Sequence, residues 1–288
     1  MNTNQMKKIS VIGAGAMGSQ IAMVCALAGY HVCLQDVSEE SLGKAKQSLE
    51  GHMKRRIDKG KLSSEQVDDA FSRLELVTSL EEAVNDTDFV IEAIVEKLEA
   101  KRELFAAVDK LAPAHTIIAS NSSTIVSSKI ADATERPDKV CNMHFFNPAL
   151  VMELVEVVQG PHTSEETAQL TMELTRSINK TPVLLKKEIS GFVANRILGK
   201  LMDEAIYLLE NGIATPEEID LACTKALNHP IGPFALIDLT GIDVHYYVRM
   251  QRYEETGESS AKPSKTVTEL FEKGELGRKT GKGFYTYS

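Results

Sequence analysis

The sequence predicts an α/β protein in which an N-terminal, doubly wound sheet is followed by an all-α C-terminal domain. The chain has 288 residues, which is enough for two hydrophobic cores, because single cores stop growing near roughly 250–300 residues. Short apolar runs alternate with helical stretches up to about Glu188, and after it the pattern is helical only. We therefore predict two domains, at residues 1–188 and 189–288.

The N-terminal part contains eight apolar runs of strand length, most of them separated by stretches with helical periodicity. The runs lie at residues 8–13, 31–36, 74–77, 89–93, 116–119, 140–145, 154–158 and 183–185. After the first run, Ile21, Val24 and Cys25 fall on one helical face, and Gly29 ends that helix. Alternation of strands and helices is typical of a parallel, doubly wound sheet.

The C-terminal part is predicted to consist of helices. Five apolar residues at helical spacing predict one long helix that ends near Asn211, namely Phe192, Ile197, Leu201, Ala205 and Leu208. Thr215 is a typical N-cap residue, because proline occupies the next position and acidic residues follow in the first turn. A further helix is predicted after Gly232 and Pro233.

A glycine-rich loop follows the first predicted strand. Gly13, Gly15 and Gly18 form the pattern G-x-G-x-x-G between a strand and a helix, and Asp36 ends the next predicted strand. In Rossmann-type domains these glycines allow a tight turn, close approach of a pyrophosphate, and packing of the helix on the strand. A carboxylate at the position of Asp36 binds the adenosine ribose and repels a 2′-phosphate. The loop therefore predicts NAD rather than NADP as the cofactor.

His144 lies near the end of one predicted strand, and Glu156 lies in the next strand, twelve residues later. A histidine can take a proton from an alcohol, a carboxylate can orient the histidine, and a nicotinamide can take a hydride. A histidine, a carboxylate and a nicotinamide together are the groups that an alcohol dehydrogenase needs. The alternative is a core histidine bonded to a neighbouring strand, and the cofactor loop favours the catalytic interpretation.

Composition excludes several classes of function. The net charge of −9 disfavours nucleic acid, whose binding depends on neutralisation of phosphates. No apolar run reaches the ~18 residues of a membrane span, and the first residues lack the features of a targeting peptide, so we expect a cytoplasmic protein. The four cysteines are widely spaced, which indicates neither a metal site nor a disulfide framework. Cys141 lies near His144, but we expect a buried, reduced thiol there.

Several further motifs follow the glycine loop in a specific order. They lie at residues 91–96, 119–123, 144–157, 191–196, 232–238 and 279–285. With these motifs the chain resembles, over nearly its whole length, the short-form 3-hydroxyacyl-CoA dehydrogenases, which include the bacterial 3-hydroxybutyryl-CoA dehydrogenases. The resemblance implies an NAD-dependent enzyme with an acyl-CoA substrate, and a helical C-terminal domain that mediates formation of a homodimer.

The resemblance also implies roles for individual residues. His144 matches the catalytic base of the family, and Glu156 matches the carboxylate that is paired with it. Ser123 and Asn195 match an active-site serine and asparagine that bind the reacting oxygen or the thioester carbonyl of the substrate. Without the resemblance, each residue has a strong alternative interpretation: Ser123 as a turn or cap residue, and Asn195 as a hydrogen-bond partner of the local backbone.

The cofactor and CoA positions are implied in the same way. Four residues match cofactor-contacting positions of the family, namely Glu96, Lys101, Asn147 and Lys279. Glu92 is expected to serve the fold rather than the cofactor. Residues 52–61 form the densest basic run of this acidic chain, and Lys59 is the predicted contact to the CoA phosphates. The alternative for this run is a solvated helix face.

One position departs from the family pattern, because Ser190 stands before Gly191 where the family typically has proline. A proline there would stiffen the entry to the helix that carries Asn195, and serine does not.

The resemblance leaves fatty-acid oxidation and butanoate synthesis open, since they use the same chemistry in opposite directions. Two alternatives remain, which are a dehydrogenase of a free hydroxy acid or sugar acid and a non-catalytic NAD-binding protein.

Overall fold

The chain forms two compact units in the computed structural model, which describes residues 6–287 apart from the side chain of Glu255. The first unit ends at Phe192 and the second begins at Val193. The boundary predicted from the sequence, after Glu188, falls a few residues before this division.

The first unit is built on an eight-stranded sheet with the order β3-β2-β1-β4-β5-β6-β7-β8. The strands are β1 (Lys8–Ile12), β2 (His31–Gln35), β3 (Leu74–Val77), β4 (Phe89–Glu92), β5 (Ile117–Ser120), β6 (Val140–Phe145), β7 (Leu154–Val158) and β8 (Thr181–Leu185). Strands β1 to β6 are all parallel to one another. The prediction of a doubly wound sheet is confirmed, and each predicted strand overlaps an observed one.

The prediction that the whole sheet is parallel was wrong for its last two strands. Strand β7 runs antiparallel to β6, and β8 is parallel to β7. The reason is the short connection between β6 and β7, which consists only of residues 146–153. A parallel connection needs a crossover of about a dozen residues or more, usually with a helix, whereas a short loop can only reverse the chain.

In the described part of the first unit, six α-helices cover the two faces of the sheet. They are α1 (Ala16–Leu27), α2 (Glu39–Asp58), α3 (Ser64–Ser72), α4 (Leu80–Val84), α5 (Leu98–Leu111) and α6 (Glu165–Ser177). Neighbouring residues of one strand pack into different cores: Ile91 belongs to a cluster with α1, whereas Val90 belongs to a cluster with Phe105 of α5. Both faces are therefore buried, which explains why the central strands read as continuous apolar runs.

The second unit is helical, as predicted. Its helices are α7 (Ala194–Glu210), α8 (Pro216–Lys225), α9 (Pro233–Thr240), α10 (Ile242–Thr256) and α11 (Lys265–Glu272). Thr215 caps α8 together with Glu218, and Gly232 is the N-cap of α9, so both predicted starts are confirmed. The prediction that Phe192 lies in the long helix was wrong, since α7 begins at Ala194. Between residues 6 and 287, no helix combines the length and the apolar character that crossing a membrane requires.

Candidate active site

His144 and Glu156 lie directly opposite each other on the antiparallel strands β6 and β7. Nδ1 of His144 is 3.0 Å from Oε2 of Glu156, and both side chains are almost fully buried. Because a carboxylate accepts hydrogen bonds, Nδ1 carries the hydrogen of this bond. Within residues 6–287, Nε2 of His144 has no hydrogen-bond partner. The chain reversal at residues 146–153 thus creates a histidine that is held at one nitrogen and available at the other.

Two phenylalanine rings flank the imidazole of His144. The centroid of the Phe146 ring lies 4.6 Å from that of the imidazole, and the two rings are inclined at 61°. The ring of Phe192 lies 5.3 Å away at 55°. The imidazole therefore has apolar surroundings except where Glu156 contacts it.

Ser123 lies in the loop that follows β5, next to the strand that carries His144. Asn121 connects the two segments, because its side-chain oxygen accepts a hydrogen bond of 2.9 Å from the amide of Phe145. The carbonyl of Ser123 accepts a bond of 3.2 Å from the amide of Gly191. Sequence reasoning assigned no role to Asn121, although an amide side chain at the end of a parallel strand was a usable signal.

The glycine loop has the geometry of an anion-binding turn. Gly13 has a φ of +105°, and a Cβ there would lie 2.6 Å from the carbonyl oxygen of Ala93. Gly15 is the N-cap of α1, so no side chain occupies the first amides of this helix, and the space where a Cβ would point is open. No acidic residue occupies the first turn of α1. The first amides of this helix can therefore bind a pyrophosphate, as a dinucleotide requires.

Asp36 lies beside this loop, immediately after β2. One of its carboxylate oxygens accepts a hydrogen bond of 2.9 Å from the amide of Ala14, and the other accepts one of 3.0 Å from the amide of Ser38. The side chain is only partly buried. Asp36 thus places a negative charge next to the loop, where it suits ribose hydroxyls better than a phosphate. These residues fit the binding of NAD.

The chain belongs to the 3-hydroxyacyl-CoA dehydrogenase family. The model of the family's NAD-binding domain matches residues 8–189, and that of its C-terminal domain matches residues 191–287. The protein is therefore an NAD-binding oxidoreductase.

Individual relatives are similar over their full length. The 3-hydroxybutyryl-CoA dehydrogenase of Clostridioides difficile is 39% identical over 281 residues, which cover 98% of this chain and 99% of the relative. The crystal structure of an (S)-3-hydroxybutyryl-CoA dehydrogenase from Ralstonia eutropha has a TM-score of 0.91 and 38% identity, with coverage of 99% and 100%. A diketoreductase that acts on dicarbonyl compounds has a TM-score of 0.88 and 34% identity, with coverage of 98% and 99%.

Two of the predicted cofactor residues of this family member, Glu96 and Lys101, belong to one polar network. The ammonium of Lys101 is 2.6 Å from Glu92 and 3.3 Å from Glu96, and the lysine is almost fully buried. Glu96 also accepts hydrogen bonds from the hydroxyls of Ser122 and Thr124. Burial raises the pKa of Glu96. The hydrogen bond from Ser122 and the charge of Lys101 lower it by more, so the pKa of Glu96 lies below its ordinary value.

Glu92, which was expected to serve the fold, is the centre of this network. It is fully buried at the end of β4. Besides Lys101, it accepts hydrogen bonds of 2.8 Å from the amide of Ile94 and 2.6 Å from the hydroxyl of Ser120. Lys101 is thus tied into the protein interior, and its contact with the cofactor stays a prediction.

Four further positions were predicted to contact the cofactor or the substrate. Asn147 is exposed in the loop after β6, and Lys59 is exposed at the C-terminal end of α2. Asn195 lies in the first turn of α7, and Lys279 forms a salt bridge of 2.5 Å with Asp243, both within the second unit. Their contacts to ligands stay predictions.

Only part of the basic run at residues 52–61 is available to an anion. Arg56 donates a hydrogen bond of 2.8 Å to the carbonyl of Leu150 in the loop between β6 and β7. Lys54 pairs with Asp58 on the surface of α2. Lys59 and Lys61 are exposed, and the contact of Lys59 with the CoA phosphates stays a prediction.

Cys141 has the properties expected of a buried thiol. It is fully buried, and its sulfur lies 3.6 Å from the hydroxyl of Thr171. Burial raises the pKa of this thiol to about 12. A nucleophilic thiolate is therefore excluded at neutral pH.

Proposed function

We propose that this oxidoreductase interconverts (S)-3-hydroxyacyl-CoA and 3-oxoacyl-CoA, with 3-hydroxybutyryl-CoA and acetoacetyl-CoA as its substrate pair. The observation that carries the proposal is the buried His144–Glu156 pair, in which Nδ1 is bonded and Nε2 is available. The names of the relatives support the choice of substrate.

His144 acts as the general base and acid of the reaction. In the oxidative direction, Nε2 accepts the proton of the 3-hydroxyl group as C3 becomes a carbonyl carbon. In the reductive direction, the imidazolium returns that proton to the oxygen. When bound, NAD supplies the acceptor or donor of the hydride.

Glu156 orients His144 and stabilises its charged form. The bond of 3.0 Å to Nδ1 selects the tautomer in which Nε2 can accept a proton. Once Nε2 is protonated, the buried carboxylate compensates the positive charge, as in other carboxylate–histidine pairs.

Ser123 and Asn195 complete the proposed site by donating hydrogen bonds to the reacting oxygen or to the thioester carbonyl of the substrate. Neutral donors polarise a carbonyl without adding a charge that would compete with His144. This part of the proposal rests on the family motifs at both positions. Lys59 is the proposed contact to the CoA phosphates, because it is a basic residue exposed at the end of α2.

A second substrate class has specific support. The similar diketoreductase acts on dicarbonyl compounds, so the fold does not by itself require a CoA ester. A dehydrogenase of a free oxo acid would use the same His144–Glu156 pair and would not need Lys59.

We also propose a homodimer formed through the helical unit, in a cytoplasmic enzyme of fatty-acid or butanoate metabolism. Several large apolar side chains of this unit are exposed in the chain, including Ile197, Tyr207, Tyr247 and Val248. Large apolar side chains that cluster on one exposed surface mark an interface, which is the basis of this proposal. Sedimentation velocity measures the proposed assembly directly.

An assay of NADH oxidation tests the proposed reaction. Acetoacetyl-CoA is compared with free acetoacetate, and NADH with NADPH, at equal concentrations. We expect fast turnover only with the CoA ester and NADH. Turnover with free acetoacetate would support the second substrate class. No turnover with either substrate would contradict the proposed substrate pair.

A further inference from the structure

Phe192 has an unusual backbone conformation at the end of the first unit. Its φ is +46°, and the preceding Gly191 has a φ of +76°. Glycine adopts the left-handed region readily, whereas a bulky side chain rarely does and needs the surrounding structure to hold it there. A phenylalanine at this position indicates that its ring makes contacts that offset the backbone strain.

The ring of Phe192 is fully buried and packs with Val158, Leu185 and Val126. Its other neighbour is His144, whose ring centroid lies 5.3 Å away. The turn that carries it is also tied to the predicted active-site serine, because the amide of Gly191 donates to the carbonyl of Ser123.

Three side chains restrict the orientation of the His144 imidazole. Glu156 bonds its Nδ1, Phe146 contacts it at 61°, and Phe192 contacts it at 55°. A single hydrogen bond would let the imidazole tilt about the Nδ1–Oε2 direction. Two inclined aromatic rings oppose that tilt, and they also exclude water, which would compete for the bond with Glu156.

We propose that Phe192 is a positioning residue for the reaction, whose ring holds the imidazole of His144 in the orientation that presents Nε2 to the substrate oxygen. The inference rests on the proposed role of His144. Phe192 needs no contact with substrate or cofactor to act in this way. Proton transfer depends on alignment, and a misplacement of about 1 Å can lower a rate by roughly 10²-fold.

The variant Phe192→Leu removes the ring and keeps an apolar side chain. Its matched control is Phe89→Leu, because Phe89 is equally buried in the first unit but lies at the opposite end of its strand from the site and is not one of the two rings that contact His144. We expect Phe192→Leu to lower kcat roughly 10–10²-fold at saturating acetoacetyl-CoA and NADH, with KM and the Kd of NADH nearly unchanged. The control should keep kcat within a few-fold of wild type, although both variants lose stability.

A spectroscopic measurement separates positioning from general destabilisation. The ring nitrogens of ¹⁵N-labelled histidine report the tautomer, and His144→Gln assigns the signal of His144. We expect the Nδ1–H tautomer in wild type and in Phe89→Leu, and a mixture of tautomers in Phe192→Leu. If Phe192→Leu does not fold, Phe192→Met replaces it, because methionine is similar in size but has no ring.

The outcomes distinguish this inference from the proposed function. Equal kcat values and equal ring spectra for the Phe192→Leu and Phe89→Leu variants would overturn the positioning role of Phe192, even if His144→Gln is inactive. Full activity of His144→Gln would instead overturn the proposed function on which the inference rests.

Discussion

Two buried acid–base pairs of the first unit, Glu92–Lys101 and His144–Glu156, differ in how completely their atoms are bonded. Glu92 and Lys101 are joined at 2.6 Å, with side-chain exposures of 0% and 1%. His144 and Glu156 are joined at 3.0 Å, with exposures of 6% and 1%. Both Glu92 and His144 lie at the C-terminal ends of strands.

Each polar atom of the first pair has at least one hydrogen-bond partner, and in this sense the pair is saturated. Both oxygens of Glu92 accept further hydrogen bonds, from Ile94 and Ser120, and Lys101 also reaches Glu96. In the second pair, Nε2 of His144 has no hydrogen bond within the part of the chain that the structure describes. A saturated buried pair is suited to fixing a loop, whereas a pair with one available nitrogen is suited to chemistry. Burial alone would not have separated the two roles.

The largest expected effect is that of His144→Gln. We expect kcat to fall roughly 10²–10⁴-fold, the usual size of general acid–base catalysis, with little change in the Kd of NADH. Steady-state kinetics and NADH titration measure the two quantities. The control is His31→Gln, at an exposed position that starts β2. An unchanged kcat for His144→Gln would remove the distinction between the two pairs.

The variant Lys101→Met tests the saturated pair. We expect the free energy of unfolding to fall by about 3–5 kcal/mol, because Glu92 is left buried without its counter-charge. Urea denaturation without NAD measures this loss separately from any contact with the cofactor. The control Lys110→Met changes an exposed lysine of the same helix and should alter stability by less than about 0.5 kcal/mol. Similar stabilities for the two variants would show that the pair is not structural.

Asp36 lies between the two buried pairs in how completely it is bonded. Both of its oxygens accept backbone hydrogen bonds, but its side chain remains partly exposed. We expect Asp36→Ala to raise the ratio of kcat/KM with NADPH to that with NADH by about tenfold, because a 2′-phosphate is no longer repelled. Asp36→Asn is a useful comparison, since it removes the charge and keeps an acceptor. A constant ratio in both variants would show that Asp36 supports the loop without selecting the cofactor.

The smallest expected effect concerns the pH dependence of stability through Glu96. Its pKa in the folded protein lies below the ordinary value of 4.5: burial raises it, but Ser122 and Lys101 lower it more. The carboxylate therefore contributes stability above about pH 4.5, and this contribution is lost as the pH falls through the folded pKa. We expect the difference in Tm between wild type and Glu96→Gln to be larger at pH 6 than at pH 4. A difference that is independent of pH would contradict this ionic contribution.

Much of the fold was predictable because its signals are local. The eight apolar runs correspond to the eight strands, and Thr215 caps α8 with Glu218. These features depend on residues within a few positions of one another. The direction of β7 was missed, although the short connection at residues 146–153 was visible in the sequence. Helices α10 and α11 were also not predicted individually, since the apolar residues of α10 are not confined to one face and α11 has only eight residues.

The candidate site was predictable only in part. Motifs singled out His144 and Glu156, which the structure pairs, whereas the place of Ser123 in the site stays a prediction. The contacts of Asn121, Phe192 and Glu92 were not recognised. Asn121 contacts Phe145, and Phe192 contacts His144, across 24 and 48 positions of the chain respectively. Contacts at such separations leave no periodic signal in a single sequence.

The sequence by itself determined the class of cofactor, the succession of strands and helices, and the residue types of the site. These follow from the turn conformations that glycine permits, from side-chain periodicity, and from the chemistry of imidazole and carboxylate groups. The tertiary structure alone decided which nitrogen of His144 is bonded, which buried charges are saturated, and which ring limits the imidazole. The physical reason is that these properties depend on distances between side chains of different elements, such as His144 on β6 and Glu156 on β7, and those distances are set only when the chain folds.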